Sequence, residues 1–509
     1  PAPNLSKEIE LKEIKKLEHI KQQLSSQELK AIQSETKRLL TLQETPDTEK
    51  AIDTLPLLKR SDLDPNIQSI DMSLEKRGQL SIIKHPFFTN GVLYIDLGLN
   101  LHSLNSNEIP FAGLLSQIYL EIGTKNEDYA SLSQRIAKST GGIYGIPFIS
   151  PREDFNETTM QFFIRGKCMI NQTDDLLAIL NDIFRNPDFD NQVRFKQILL
   201  EHKSDLESSI IPRGHSAVMT RLKARYHTAH WANEQIGGID GLFFIRNLLI
   251  EIDNDWPSVL ARIKTIHDKL IRTNNITLNI TCDQKNLDLI NNKIDNFLSE
   301  LPSKKEIPLI KNYMIPKYPT SEALLVPSRI NFVGASSNLF NFGYHFHGSS
   351  IVITRYLQTA WLWEKIRVQG GAYGGMCSFD HRAGVFTFAS YRDPNLIESI
   401  ETYKQTGNFL KNLKLDEKEL TRALIGAIGQ LDTYELPDTK SLSSCKRILL
   451  GYTPKDRQKL RDEVLATTEK DFNYFGEILH TAFENPNLAV LCDKDSATKA
   501  KIKTMTEVL

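Results

Sequence analysis

The chain has 509 residues, with 62 Lys and Arg against 63 Asp and Glu and a formal net charge of -1. At about 150 residues per domain it has room for three or four ordinary domains. This balance argues against nucleic-acid or membrane-surface partners, whose binding rests on excess basic charge. A chain with 40% hydrophobic and 25% charged residues is globular and able to bury large cores. The longest apolar stretch, 241–250, is broken by Arg246 and Asn247 and is too short to cross a bilayer. Five cysteines (Cys168, Cys282, Cys377, Cys445, Cys492), an odd number with no C-x-x-C pair, fit a reducing compartment and exclude a zinc-finger or disulfide scaffold. A start at Pro1-Ala-Pro with no Met and no signal or transit peptide suggests a processed product or a piece of something longer.

In chain order, the first 45 residues are charged and helical, with Ile14, Leu17 and Leu24 recurring at helical spacing. Ser25-Ser-Gln-Glu28 has the form of a capping box, so a second helix starts there and carries Leu29, Ile32, Leu39 and Leu40 on one face. Residues 1–75 are therefore read as a helical hairpin, either a connector or a solvated arm. After Asp64-Pro65 the pattern alternates between α and β. Residues 91–100 put Leu93, Ile95, Leu97 and Leu99 on one strand face, 109–123 read as a buried helix, and 158–165 as a strand. Helices follow at 172–186 and 191–209. Residues 275–283 alternate strictly, with Ile276, Leu278, Ile280 and Cys282 inward, and the proline-containing stretch 303–320 reads as a linker.

A weak internal repeat organises these elements. Gly141-Gly-Ile-Tyr-Gly145 recurs as Gly370-Gly-Ala-Tyr-Gly374, and each copy precedes an alternating strand (160–164 and 385–389). Ile280-Thr-Cys-Asp283 recurs as Val490-Leu-Cys-Asp493. Two motifs in one order imply two copies of an α/β domain of about 200 residues. The expected fold class is α+β.

Metal ligation follows spacing rules. His227, His230 and Glu234 stand at i, i+3 and i+7 and would share one helix face. The trio would need all its side chains free of core packing, and only then would the chain be a free-standing zinc protein. His345-Phe-His347 reads as alternate residues of a strand. Lys15-Lys-Leu-Glu18-His19 ends like the inverted zinc-peptidase motif His-x-x-Glu-His, but Lys15 occupies the first ligand position, which makes it a surface helix. No G-x-S-x-G, P-loop or G-x-G-x-x-G string occurs.

The segment 361–375 remains. A helix with two Trp ends at a glycine pair and the chain re-emerges as a strand with little to obstruct a ligand's backbone. Arg367 offers up to five N–H donors and Tyr373 one O–H, and both could address one carbonyl oxygen. The competing reading pairs Arg367 with Glu364 and places Tyr373 in the core.

The string 362–375, Leu-Trp-Glu-Lys-Ile-Arg-Val-Gln-Gly-Gly-Ala-Tyr-Gly-Gly, with Ser390-Tyr-Arg-Asp-Pro-Asn395 behind it, resembles the last domain of the presequence-protease branch of the pitrilysin and insulin-degrading class of inverted zinc metallopeptidases. The strings 88–97, 133–136, 140–143, 43–47 and 55–58 share the resemblance, which covers essentially the whole chain. That family has four homologous α/β domains in two halves joined by a helical hairpin around a chamber. The resemblance implies a hairpin at 1–75, a catalytically silent third domain at 76–305 and a fourth domain at 306–509. Leu114, Gln117 and Ile118 stand where the family's zinc-binding His, Glu and His would be. No metal site is therefore expected here, and zinc would be a cofactor of an N-terminal half bearing His-x-x-Glu-His. Arg367 and Tyr373 match the Arg and Tyr that the fourth domain lends to catalysis, with Gly370 and Gly371 as substrate-binding positions. The resemblance further implies that zinc and a Glu of the other half activate water while Tyr373 and Arg367 hold the scissile-region carbonyl. Substrates would be cleaved targeting presequences and other short unfolded peptides, in a mitochondrial or plastid matrix or in a bacterium. The isolated chain would be inactive. The alternative is a non-catalytic structural subunit built from metal-free domains of this type.

Overall fold

A computed structural model describes residues 5–52, 54–56, 58–78, 80–302 and 308–509. The start at Pro1 and the expected 305/306 domain boundary lie outside the described residues, as do residues 303–307 of the expected linker. The chain divides into two compact units, Pro1–Asp62 and Leu63–Leu509.

In the first unit, helices span Leu5–Gln23 and Ser26–Glu44. The capping box forms as expected: Glu28 N donates to Ser25 Oγ (3.3 Å), and the Glu28 carboxylate accepts from Ser25 N (2.8 Å). Leu24 and Leu29, beside the turn, are half-buried, whereas Ile14, Leu17, Ile32, Leu39 and Leu40 are exposed within the unit. The Lys15-to-His19 stretch is fully exposed on the first helix.

The second unit holds two six-stranded mixed sheets. The first comprises β1 (Ser73–Arg77), β2 (Leu80–Pro86), β3 (Val92–Asn100), β4 (Ile143–Pro151), β5 (Thr158–Met169) and β6 (Ile276–Cys282), in the order β1-β2-β6-β3-β5-β4. The second comprises β7 (Ser321–Leu325), β8 (Phe332–Asn338), β9 (Gly374–Asp380), β10 (Val385–Tyr391), β11 (Asn487–Cys492) and β12 (Thr504–Glu507), in the order β12-β7-β11-β8-β10-β9. Five of the six positions match one to one, including a parallel β2–β6 and a parallel β7–β11 pair. The copies differ at one edge, where β1 is an antiparallel N-terminal strand and β12 a parallel C-terminal one. Both members of the glycine repeat open the opposite edge strands, β4 and β9. The repeated Asp283 and Asp493 follow equivalent strands but do different work. Asp283 accepts from Thr89 N and Gly91 N, fixing the loop before β3, and Asp493 caps the Lys494–Lys499 helix.

Central β6 is buried at every position, although its alternation predicts one inward face. The other face, with Thr277, Asn279 and Thr281, is covered by the Pro437–Leu450 helix of the second repeat, where Leu442 and Cys445 pack on Ile83 and Phe163. The exchange is reciprocal. The Gly214–Lys223 helix of the first repeat lies on β8, β10 and β11, packing Val218 and Leu222 on Phe332, Ala489 and Leu491. Gly334 on β8 permits this approach, because a Cβ there would stand 2.3 Å from Val218 Cγ1. Each repeat therefore completes the other's core. Every large apolar side chain buried this way contributes about 1.5–3 kcal/mol, which is why residues 63–509 form one body.

Two local expectations are corrected. Residues 109–123 form a 3₁₀ turn (Ile109–Gly113) and a separate short helix (Leu115–Glu121). Pro110 lacks a donor, and a Cβ at Gly113 would stand 2.4 Å from Ile236 O. His345 and His347 lie in a loop, where His347 Nδ1 accepts from Ser349 N (3.3 Å) at the start of the next helix. Residues 308–320 carry no regular element, as the linker reading of this stretch expects. Among the described residues, no helix is long and apolar enough to cross a membrane, and all five cysteines are buried and unpaired.

Candidate active-site element at the edge of the second sheet

After the Ser349–Thr359 helix the chain forms a π-helical turn, Trp363–Gln369, which ends at Gly370 and leads into edge strand β9. Widened turns of this kind cluster at functional sites. The turn closes through Gly371 N to Arg367 O (2.9 Å) and Ala372 N to Ile366 O (3.1 Å). Glycine is required here on two grounds. Gly371 has φ +74°, and a Cβ on Gly370 would stand 2.6 Å from Ile366 O.

The Ser390–Asn395 motif braces this turn from behind. Burial pushes the Asp393 carboxyl up, yet it accepts from Ser399 Oγ (2.6 Å) and Asn395 N (2.9 Å). The Asp393 backbone pairs with Asn331 in both directions. Asn395, held in this way, donates its side-chain amide to Gly370 O. Tyr373 N donates to Tyr391 O (3.0 Å), and the two rings meet edge to face at 5.7 Å.

The expected pairing of Arg367 with Glu364 does not form, because Glu364 accepts from Gln369 instead (2.9 Å). The Arg367 guanidinium carbon lies 4.1 Å above the Trp363 ring and 5.8 Å from the Tyr373 ring. Among the described residues it has no carboxylate partner. Tyr373 is not a core ring, being 66% exposed. The turn thus presents a cation stacked on aromatic faces, with its N–H groups uncommitted, beside an exposed phenol. Trp363 was not singled out by sequence reasoning, though its i, i+4 spacing to Arg367 was a usable signal.

The other candidate residues are committed elsewhere. His227 precedes the Thr228–Gly237 helix and accepts from Ala229 N at Nδ1 (3.1 Å). His230 Nε2 lies 2.9 Å from Asp380 Oδ2. Glu234, fully buried, faces Arg221 (3.2 Å) and accepts from Ile239 N (3.1 Å), and burial pushes its carboxyl up to about 7. Leu114 and Ile118 are core residues, while Gln117 Nε2 lies 3.4 Å from His202 Nδ1. Two buried alkyl groups and an amide do not fit a zinc ion. Among the described residues, no group of three or more His, Cys, Asp or Glu side chains could hold a metal.

The paired sheets with exchanged helices define the class of fold. A solved peptidase M16 inactive domain from Pseudomonas fluorescens superposes with a TM-score of 0.58 at 13% identity, over 86% of this chain and 100% of that one. The family model for the domain associated with subfamily C of the M16 peptidases matches residues 1–248, and that for the PreP C-terminal domain matches 321–492. Presequence protease 1, chloroplastic/mitochondrial, from Arabidopsis thaliana is 34% identical over 480 residues, covering 94% of this chain and 44% of that protein. The mitochondrial presequence protease of Saccharomyces cerevisiae is 26% identical over 454 residues, covering 87% of this chain and 45% of that protein. The chain belongs to the presequence-protease branch of the M16 peptidase family. It spans about half the length of the curated relatives it matches.

Proposed function

We propose that this chain is the C-terminal half of a zinc metalloendopeptidase that degrades short unfolded peptides, including cleaved targeting presequences. The observation that carries the reading is the uncommitted Arg367 guanidinium beside exposed Tyr373 on a braced turn. A purely structural subunit has no need of an exposed arginine held on an aromatic face with free donors. Residues 114–118 do not fit zinc, so the metal belongs to an N-terminal half bearing His-x-x-Glu-His. This chain's contribution is binding and charge stabilisation. Arg367 N–H and Tyr373 O–H donate to the carbonyl oxygen near the scissile bond and stabilise the negative charge that develops there. Gly370 and Gly371 keep the turn free of side chains where the peptide backbone passes. Closure of the two halves assembles the site around peptides small enough to be enclosed. The names of the relatives, chloroplastic and mitochondrial, support an organellar location, with a bacterial one as the alternative.

The experiment is reconstitution. The chain alone is expected to bind no stoichiometric zinc and to leave an unstructured peptide intact, and cleavage is expected on mixing it with an N-terminal half bearing the zinc motif. Stoichiometric zinc in the purified chain, or cleavage by it alone, would overturn the reading.

A further inference from the structure

The two edge strands that open with the glycine repeat are finished in opposite ways. On β4, Arg152 N donates to Glu157 O (3.0 Å), so the even-numbered residues bond to β5 and the odd-numbered ones turn their backbone groups outward. Much of that outward row is closed. Gly145 N is taken by Ser116 Oγ (3.1 Å), Pro147 and Pro151 have no N–H, and Ile149 O accepts from Asn233 Nδ2 (3.3 Å). Prolines and capped groups are the usual protection of a sheet edge.

On β9 the same reasoning gives an open row. Leu339 N donates to Gly384 O (2.8 Å), so even residues of β10 face β8 and odd ones face β9. In the β9–β10 register, residues 374, 376, 378 and 380 are then the bonded ones. Gly375, Cys377 and Phe379 point their N–H and C=O groups outward. Among the described residues, the one bond made to these groups is Gln358 Nε2 to Cys377 O (2.7 Å). The strand Gly-Gly-Met-Cys-Ser-Phe-Asp carries no Pro and no Lys. Instead of a cover it has a cavity of about 380 Å³ between itself and the Ser349–Thr359 helix, lined by Thr354, Gln358, Ser378, Phe379 and His381. Thr354 Oγ1 and Ser378 Oγ are buried there without partners.

We infer that this groove binds an extended peptide segment by strand addition to β9, the backbone amides of the peptide pairing with Gly375, Cys377 and Phe379. Ser378 and Thr354 hydroxyls meet the peptide's polar groups, and Phe379 and the His381 ring, stacked on Phe346 at 4.3 Å, form an apolar wall. Because β9 begins one residue after Tyr373, a strand seated here runs directly to the Arg367–Tyr373 turn. The assignment rests on the reading of this chain as the peptide-binding half of a peptidase and places a specific subsite within it.

The test is fluorescence anisotropy with the full 509-residue chain and a labelled, end-blocked, unstructured ten-residue peptide. Saturable binding is expected, weakened by about tenfold or more when the peptide is N-methylated at every residue, because the N–H donors on both its edges are then lost. Thr354→Trp, which fills the groove, is expected to weaken binding similarly while circular dichroism and melting temperature stay unchanged. The inference is overturned if the unmodified peptide does not bind saturably, or if the methylated peptide binds as tightly as its parent. Loss of turnover in Arg367→Ala of the reconstituted two-half enzyme, alongside methylation-insensitive binding, would refute the β9 subsite alone. Unchanged turnover in Arg367→Ala would refute the peptidase reading instead.

Discussion

Arg221, on the exchanged Gly214–Lys223 helix, ties the two repeats together through one buried cation. Its Nε and Nη2 donate to both Glu322 oxygens on β7 (2.8 and 3.0 Å). Its Nη1 reaches Asp240 (2.7 Å) and Glu234 (3.2 Å), and its face lies 4.6 Å from the Tyr318 ring. Arg221→Met keeps most of the volume and removes the charge, leaving Glu234 and Glu322, 0% and 2% exposed at the side chain, without their main counter-ion. Breaking a buried ion pair from one side costs about 3–5 kcal/mol, and the loss is expected in that range at pH 7. At pH 5 it is expected to shrink, because the stranded carboxylates escape by taking up protons. Guanidinium unfolding followed by circular dichroism and tryptophan fluorescence measures both values. A loss below about 1 kcal/mol at pH 7, or an equal loss at pH 5, would refute the proposed role of this cation.

Glu234 itself gives a pH signature. Its carboxyl is raised by burial from 4.5 to about 7. Between those values the folded state keeps a proton that the unfolded state has lost, so stability falls as pH rises through this window and levels off outside it. The slope is at most about 1.4 kcal/mol per pH unit, and Glu234→Gln is expected to flatten it in thermal melts from pH 4.5 to 7.5. Leu442→Ala, in the core formed with Ile83 and Phe163, is expected to cost about 2–5 kcal/mol in chemical unfolding. At the turn, Gly371→Ala is expected to cost about 1–2 kcal/mol from its positive φ alone. Gly370→Ala, whose Cβ meets backbone, should also displace Arg367 and lower the turnover of the reconstituted enzyme.

Most of the fold was legible because the strands alternate cleanly and the repeated Gly-Gly-x-Tyr-Gly and Cys-Asp strings sit at matching sheet positions. A further echo, Asn100-Leu-His102 and Asn338-Leu-Phe340, ends the equivalent strands β3 and β8 with the same side-chain cap. The helix exchange was not legible. Thr277, Asn279 and Thr281 look like a solvent face, and only a helix more than 150 residues away in sequence makes them interior. Asn279 Nδ2 donates there to Asp96 Oδ2 (2.8 Å) and lies 3.4 Å from Ser441 Oγ. The broken helix at 109–121 was hidden because its cause, contact between Gly113 and Ile236 O, is tertiary. At the site, Arg367 and Tyr373 stood out in the sequence as possible donors beside a glycine pair, and the roles assigned to them and to the glycines came from the family resemblance. The stacking of Arg367 on Trp363 depends on a π-turn that periodicity does not reveal. The open and closed edges of β9 and β4 required the register, although the prolines of β4 were visible throughout.

Steady-state cleavage of an unstructured peptide by the reconstituted two-half enzyme, with Arg367→Ala and Tyr373→Phe compared with the unaltered chain, tests the central claim most directly. Loss of one donor to a developing oxyanion typically costs about 10²–10³ in kcat. Each variant is expected to fall in that range, with unchanged melting temperature and zinc content. Turnover within about twofold of the unaltered enzyme for both variants would contradict it, since donors worth a few kcal/mol in the transition state cannot be removed without loss of rate.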